Sequence, residues 1–74
     1  ACVNLIDKME SSYWWKGKIQ NSKETVLFAK TTNKLFSKLS KKVKSLHSYE
    51  VPCILLLEVK AGNKEYVDWL LDAL

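Results

Sequence analysis

The chain has 74 residues, 47% of them apolar and 27% charged, with a net charge of +4. A chain this short forms one domain with a thin core, burying roughly 60% of its unfolded surface. The composition excludes disorder, and no apolar run reaches the ~18–20 residues of a membrane span, so no membrane insertion is expected.

In chain order, Cys2 to Ile6 alternates loosely and contains valine and isoleucine, which predicts a strand. The aromatic run Tyr13-Trp14-Trp15 extends it towards Lys18, with a bend or bulge expected at Ser11-Ser12. Gln20-Asn21-Ser22-Lys23 reads as a turn. Glu24 to Thr31 then alternates, with Val26, Phe28 and Lys30 on one face, and completes a hairpin. Leu35, Phe36, Leu39, Val43 and Leu46 recur at offsets of 1, 4, 8 and 11, one stripe of an amphipathic helix. Thr32 or Asn33 serves as its N-cap. Lys38, Lys41, Lys42 and Lys44 fall on its wet face. Pro52 forbids further helix and biases Val51 to an extended backbone. Ile54 to Val59 carries four consecutive large aliphatics, the pattern of a strand covered on both faces. Gly62 closes it. Asn63 caps a last helix with Tyr66, Val67, Leu70, Leu71 and Leu74 on its inner face.

The order strand, strand, helix, strand, helix gives an α+β fold in one domain, residues 1–74, with helices covering one sheet face. A hairpin followed by a helical crossover is the second half of a split βαβ, or ferredoxin-like, unit. The N-terminal strand and helix of that unit are missing, and a C-terminal helix is added. In the full topology the missing strand is central. Without it the Thr25–Thr31 and Cys53–Val59 strands each expose an unpaired edge, which is costly. Together with a first residue that is not methionine, this points to a fragment or a processed product. In a complete chain the two strands would pair directly through a right-handed crossover.

Every basic residue is lysine: 12, with no arginine. Arginine reads phosphates and guanine edges through its two-pronged fork, so its absence counts against nucleic acid as a partner. Non-specific attraction to polyanions and a merely solvated lysine surface both stay open. Cys2 and Cys53 form no CxxC pair, and with one histidine they cannot furnish the usual four ligands of structural zinc. Two free thiols in a reducing compartment, the cytoplasm, fit better. Enzyme signatures are missing: no Gly-rich phosphate loop, no GxSxG elbow and no HExxH. A Cys2/His47 nucleophile–base pair lacks an evident oxyanion hole or orienting group. No enzymatic activity is expected and no cofactor is required. Tyr13, Trp14 and Trp15 suit either ligand stacking or an interface core. Lys30, sharing a face with Val26 and Phe28, must reach Glu50, an anionic ligand or solvent. His47, three residues before Glu50, is either a ligand or a helix C-cap.

Several of these residues stand together at a family's spacing. Ala1-Cys2-Val3-Asn4, then Tyr13, Trp15, Gly17 and Ile19, then Glu24 and Lys30-Thr31, His47, Tyr49-Glu50-Val51-Pro52, Gly62-Asn63, Tyr66 and Trp69 resemble the CutA divalent-cation tolerance family from end to end. Ser48 departs from the proline that members usually place between the histidine and tyrosine. The resemblance covers about the last two-thirds of a member. It implies a homotrimer with pockets at the subunit boundaries and a response to, or binding of, metal ions such as copper. Cys2, His47 and Glu50 map to the implied metal-binding region, a soft thiolate, an imidazole and a carboxylate suited to Cu²⁺. Tyr13, Trp15, Lys30, Tyr49 and Trp69 map to the pocket or interface. The alternative is a PII-like trimer that binds a small anionic ligand between subunits and signals to another protein.

Overall fold

In the computed structural model, which describes all residues 1–74, the chain reverses at Lys16-Gly17. Their φ angles are 49° and 80°. Two consecutive left-handed residues make a type I′ turn, whose twist matches the flanking strands. Gly17 takes its place without a Cβ penalty. Strand β1 (Cys2–Trp15) therefore pairs antiparallel with β2 (Lys18–Lys30), from Cys2↔Lys30 to Trp15↔Lys18. The turn expected at Gln20–Lys23 is not there. Asn21 and Ser22 lie in β2 opposite Ser12 and Ser11, and Ser12 Oγ donates to Asn21 Oδ1 at 2.7 Å. Ser12 and Asn21 satisfy each other across the strands while Ser22 Oγ has no partner, so turn-type polar residues here lie within regular pairing.

The ladder is interrupted, but between Ile6 and Met9 rather than at Ser11-Ser12. Lys8 adopts φ 58° there. Asp7 Oδ1 accepts from the Lys8 backbone N–H at 2.9 Å and from Thr25 Oγ1 at 2.9 Å, which ties the bulge to the opposite strand. A short carboxylate can make such local bonds, and they compete with regular pairing.

Helix α1 (Asn33–Leu46) follows after Thr31-Thr32. Thr32 is the N-cap in an extended conformation, and its carbonyl accepts from Leu35 N–H at 3.1 Å, although its hydroxyl makes no cap bond. Phe36, Leu39 and Val43 are half-buried, as the stripe predicts. A 14-residue helix is about 21 Å long. Walking back along β2 from Lys30 to Glu24 covers about 20 Å. The two lengths match, so the helix that leaves the end of β2 returns the chain beside Lys23–Thr25. His47 ends it as C-cap, its backbone N–H bonded to Val43 O at 2.9 Å. Helix α2 (Lys64–Asp72) starts after Asn63 as expected.

Residues 54–59 form no strand. The sheet has two strands only, and none of the backbone–backbone hydrogen bonds involves this stretch. Direct pairing with β2 through a right-handed crossover does not occur. The aliphatic run supplies the side chains of a covered strand, but a strand exists only where a neighbour's amides and carbonyls meet it. Leu57 and Val59 are 73% and 80% exposed.

No residue of the chain is fully buried. Its radius of gyration is 15.1 Å, against about 11 Å for a compact domain of this length. The long axis of 46 Å is that of the hairpin, since 14 extended residues reach about 47 Å. The expected α+β content is present, whereas the core expected under it is not closed within one chain.

The backbone at the bulge yields a stability prediction. Left-handed φ costs a side-chain-bearing residue roughly 1–2 kcal/mol, partly offset by the greater freedom that glycine loses on folding. Lys8→Gly is expected to stabilise by about 0.5–1 kcal/mol and Gly17→Val to destabilise by more than that. Thermal unfolding followed by circular dichroism reads both. An unchanged midpoint for Lys8→Gly would show that the Asp7 bonds already relieve the strain.

Candidate functional site

Two recesses flank α1, one at each end. At its start a cavity of ≈ 340 Å³ is lined by Cys2, Val3, Ala29, Lys30, Leu35 and Leu39, among others. Pairing of Cys2 with Lys30 in the ladder sets its floor, and the first turns of α1 form its wall. At the end of the helix a cavity of ≈ 230 Å³ is lined by Lys23, Glu24, Thr25, His47, Ser48 and Tyr49. This one is polar, because the chain leaves the helix over the charged middle of β2.

The two places hold different chemistry. Lys30 Nζ donates to Tyr66 Oη at 3.0 Å and lies 5.2 Å from the centre of that ring. The hydrogen bond to Tyr66 raises the lysine pKa above its ordinary value; desolvation opposes this, and the charges of Tyr66 and Cys2 add to it. Lys30 thus fastens α2 to the end of β2. Of the alternatives for Lys30, Glu50 is not its partner within the chain; Tyr66 is. Trp69 packs against Tyr66 with ring centres 5.6 Å apart. Cys2 Sγ lies 3.7 Å from Asn4 Oδ1, and both Cys2 and Cys53 are free thiols.

At the other end, Tyr49 stands between the helix exit and β2. Its backbone N–H donates to His47 Nδ1 at 3.0 Å, and the two rings lie 4.9 Å apart. An Nδ1 that accepts a hydrogen bond places the neutral ring's proton on Nε2. The Tyr49 phenol faces Glu24. Hydrogen bonding by that carboxylate is the largest cause of its raised pKa, followed by burial and by the Glu24 charge; Ser22 acts the other way, and Tyr13 adds a small upward push. Trp15 is half-buried near the hairpin tip, with Lys16 Nζ 5.8 Å from its ring centre, while Trp14 is 68% exposed.

Within one chain Cys2, His47 and Glu50 do not come together. Cys2 lines the first recess and His47 the second, separated by about 20 Å of β2. No three His, Cys, Asp or Glu side chains are grouped to hold a metal ion. His47 is the C-cap of α1, and its Nδ1 accepts from the Tyr49 amide. Sequence reasoning gave Glu24 no role in a site and made Tyr66 a packing residue. The structure sets them against Tyr49 and Lys30. These pairs join distant parts of the chain, so no local spacing announces them.

The family model of the CutA1 divalent ion tolerance protein matches residues 1–73. The chain belongs to this family. A divalent-cation tolerance protein CutA from Thermus thermophilus is 46% identical over 70 residues, covering 95% of this chain and 68% of that protein. Protein CutA 1 of rice, described as chloroplastic, is 44% identical over 95% of this chain but only 40% of its own length. The chain thus spans well under half of one relative and about two-thirds of the other. Among solved structures, the periplasmic divalent cation tolerance protein CutA of Archaeoglobus fulgidus superposes with a TM-score of 0.91 at 38% identity, covering 97% of this chain and 70% of that one. The Thermus and Archaeoglobus names describe tolerance of divalent cations. No helix of the chain is long and apolar enough to cross a membrane.

Both shifted groups lie at joints of the CutA fold, and both are raised. The native state therefore holds these protons more tightly than the unfolded chain. Their stabilisation is complete below the ordinary values, about 10 for phenol and about 10.4 for lysine, and is lost as pH rises through the shifted ones. Unfolding midpoints should fall above about pH 10. Tyr49→Phe should flatten the phenol's share of that loss and remove a late-titrating component from the phenolate absorbance. If the late component survives in Tyr49→Phe, the Glu24 contact is not its source.

Proposed function

We propose that this chain acts as a CutA-type divalent-cation tolerance protein, as a subunit of a homotrimer that responds to or binds copper. Family membership over residues 1–73 carries this reading. The unclosed core supports the assembly. A chain without one fully buried residue cannot offset its conformational entropy alone, so its exposed aliphatic and aromatic side chains need a neighbour. The hairpin reaches furthest from the rest of the chain, and Tyr13, Trp14, Trp15 and Ile19 at its tip are of the type that anchors subunit interfaces.

Copper enters this reading as a ligand shared between subunits. One chain alone brings no three donors together, so Cys2, His47 and Glu50 act by facing partners from a neighbouring copy. Coordination through His47 Nδ1 requires release of the Tyr49 amide; coordination through Nε2 requires the proton to move to Nδ1, which also breaks that bond. Either way binding competes with an existing contact and has modest affinity. The chemistry is binding rather than turnover, and the two free thiols fit a cytoplasmic setting.

Two measurements test the proposal. Light scattering at micromolar concentration should give a trimer, and Trp15→Ala should weaken it by ~2–4 kcal/mol, as expected for a truncated aromatic anchor; a stable monomer overturns the assembly. Calorimetric Cu²⁺ titration should show binding that weakens as the pH falls, because a protonated ring cannot ligate. His47→Ala should remove most of that pH dependence, and Cys2→Ser should reduce affinity for Cu(I) more than for Cu(II). Isotherms unchanged by both substitutions would mean adventitious binding to surface carboxylates.

A further inference from the structure

The recess at the start of α1 is bordered by more positive charge than the fold requires. Leu35, Lys38, Leu39 and Lys42 line it from the helix side. They stand at i, i+3, i+4 and i+7, which is one face of a helix. Lys38 and Lys42, expected on the wet face, thus flank the leucines of this face while staying exposed. Across the gap lie Cys2 and Lys30, paired at the end of the ladder. Three lysines therefore border one recess, and none of its lining residues is acidic.

No carboxylate answers these charges. The salt bridge of the chain is Lys64–Asp68, within α2. Lys30 donates to Tyr66 Oη at 3.0 Å, which uses one of the three N–H donors of an ammonium. The phenol is a neutral partner: it holds Lys30 in place at the rim without cancelling its charge. Lys38 and Lys42 have no ion-pair partner, and like charges four residues apart on a helix repel. Their placement beside Leu35 and Leu39 is a cost to α1 that negative charge in the recess would offset.

We propose that this recess binds a small organic oxyanion, a carboxylate or phosphate head on a short apolar body. Lysine ammonium groups are compact charges with several donors each, and they suit a head with two or more acceptor oxygens. Leu35 and Leu39 supply the apolar surface for the body. The volume of ≈ 340 Å³ lies at the lower end of the roughly 300–1,000 Å³ of ligand sites, so the body is short. A bare inorganic anion would leave the leucines wet, and a neutral hydrocarbon would leave the lysines unanswered. A nucleotide is a poor occupant, because no aromatic side chain lines the recess to stack on a base. This site rests neither on copper binding nor on trimer assembly.

Calorimetry and thiol alkylation of the metal-free full chain test it, with hexanoate and hexyl phosphate as probes. Binding of either supports the site, and the tighter of the two names the head. The bound probe should slow alkylation of Cys2, inside the recess, and leave the exposed Cys53, outside it, unchanged; peptide mass spectrometry separates the two thiols. Shortening hexanoate to butanoate should weaken binding about ten-fold, for two fewer buried methylenes. Lys38→Gln and Lys42→Gln should each weaken it about two- to five-fold, as for exposed ion pairs. Both side chains are exposed, so the far-UV circular dichroism of these variants should match the parent and separate lost binding from lost folding. Equal affinity for hexanol, which lacks the charge, or for inorganic phosphate, which lacks the body, overturns the proposal. So do isotherms unchanged by both lysine substitutions. Cys2 protection that rises with protein concentration in the absence of a probe also overturns it, because a second copy would then fill the recess.

Discussion

The ladder between β1 and β2 is the constraint on which the rest of this molecule depends. It is the only sheet pairing in the chain and sets the length of the structure. Its register, fixed by the two-residue turn at Lys16-Gly17, places Cys2 beside Lys30 and so defines where α1 departs. The match between the length of α1 and six residues of β2 then brings His47 and Tyr49 back over Glu24. A shift of one residue in the ladder would turn Val26 and Glu24 to the other face and separate Tyr49 from its partner.

Little else within one chain holds these elements together. α2 is attached to β2 through Lys30 and Tyr66, a charge-assisted hydrogen bond reinforced by the ring. Such contacts orient an element but do not replace apolar burial, which is the main favourable term in folding. Residues 54–59 carry the most apolar sequence of the chain and yet lie uncovered, with their backbone groups unpaired.

Electrostatics divides the molecule in the same way. α2 follows the rules that stabilise an isolated helix, with an acid in its first turn, and α1 does not. The positions of Lys30 and Tyr49 show a second use of charge, in which raised proton affinity marks where distant segments are joined.

Local chemistry determined much of this in the sequence. The 3.6-residue recurrence of Leu35, Phe36, Leu39 and Val43 and the block at Pro52 fix α1 through steric and hydrogen-bonding rules within a few residues, and Asn63 marks the start of α2 just as locally. The spaced residues from Cys2 to Trp69 were enough to reveal the family. The hairpin was legible as a hairpin, but its turn was misplaced: Gln20–Lys23 has turn composition, whereas the chain reverses at Lys16-Gly17, which holds one of its two glycines. Tertiary structure alone decided what depends on partners distant in sequence. The aliphatic run 54–59 lacks a ladder because strand formation needs a second backbone. Lys30 meets Tyr66 rather than Glu50, and Cys2 and His47 lie at opposite ends of α1, because the ladder register and the helix length, not residue type, set those distances.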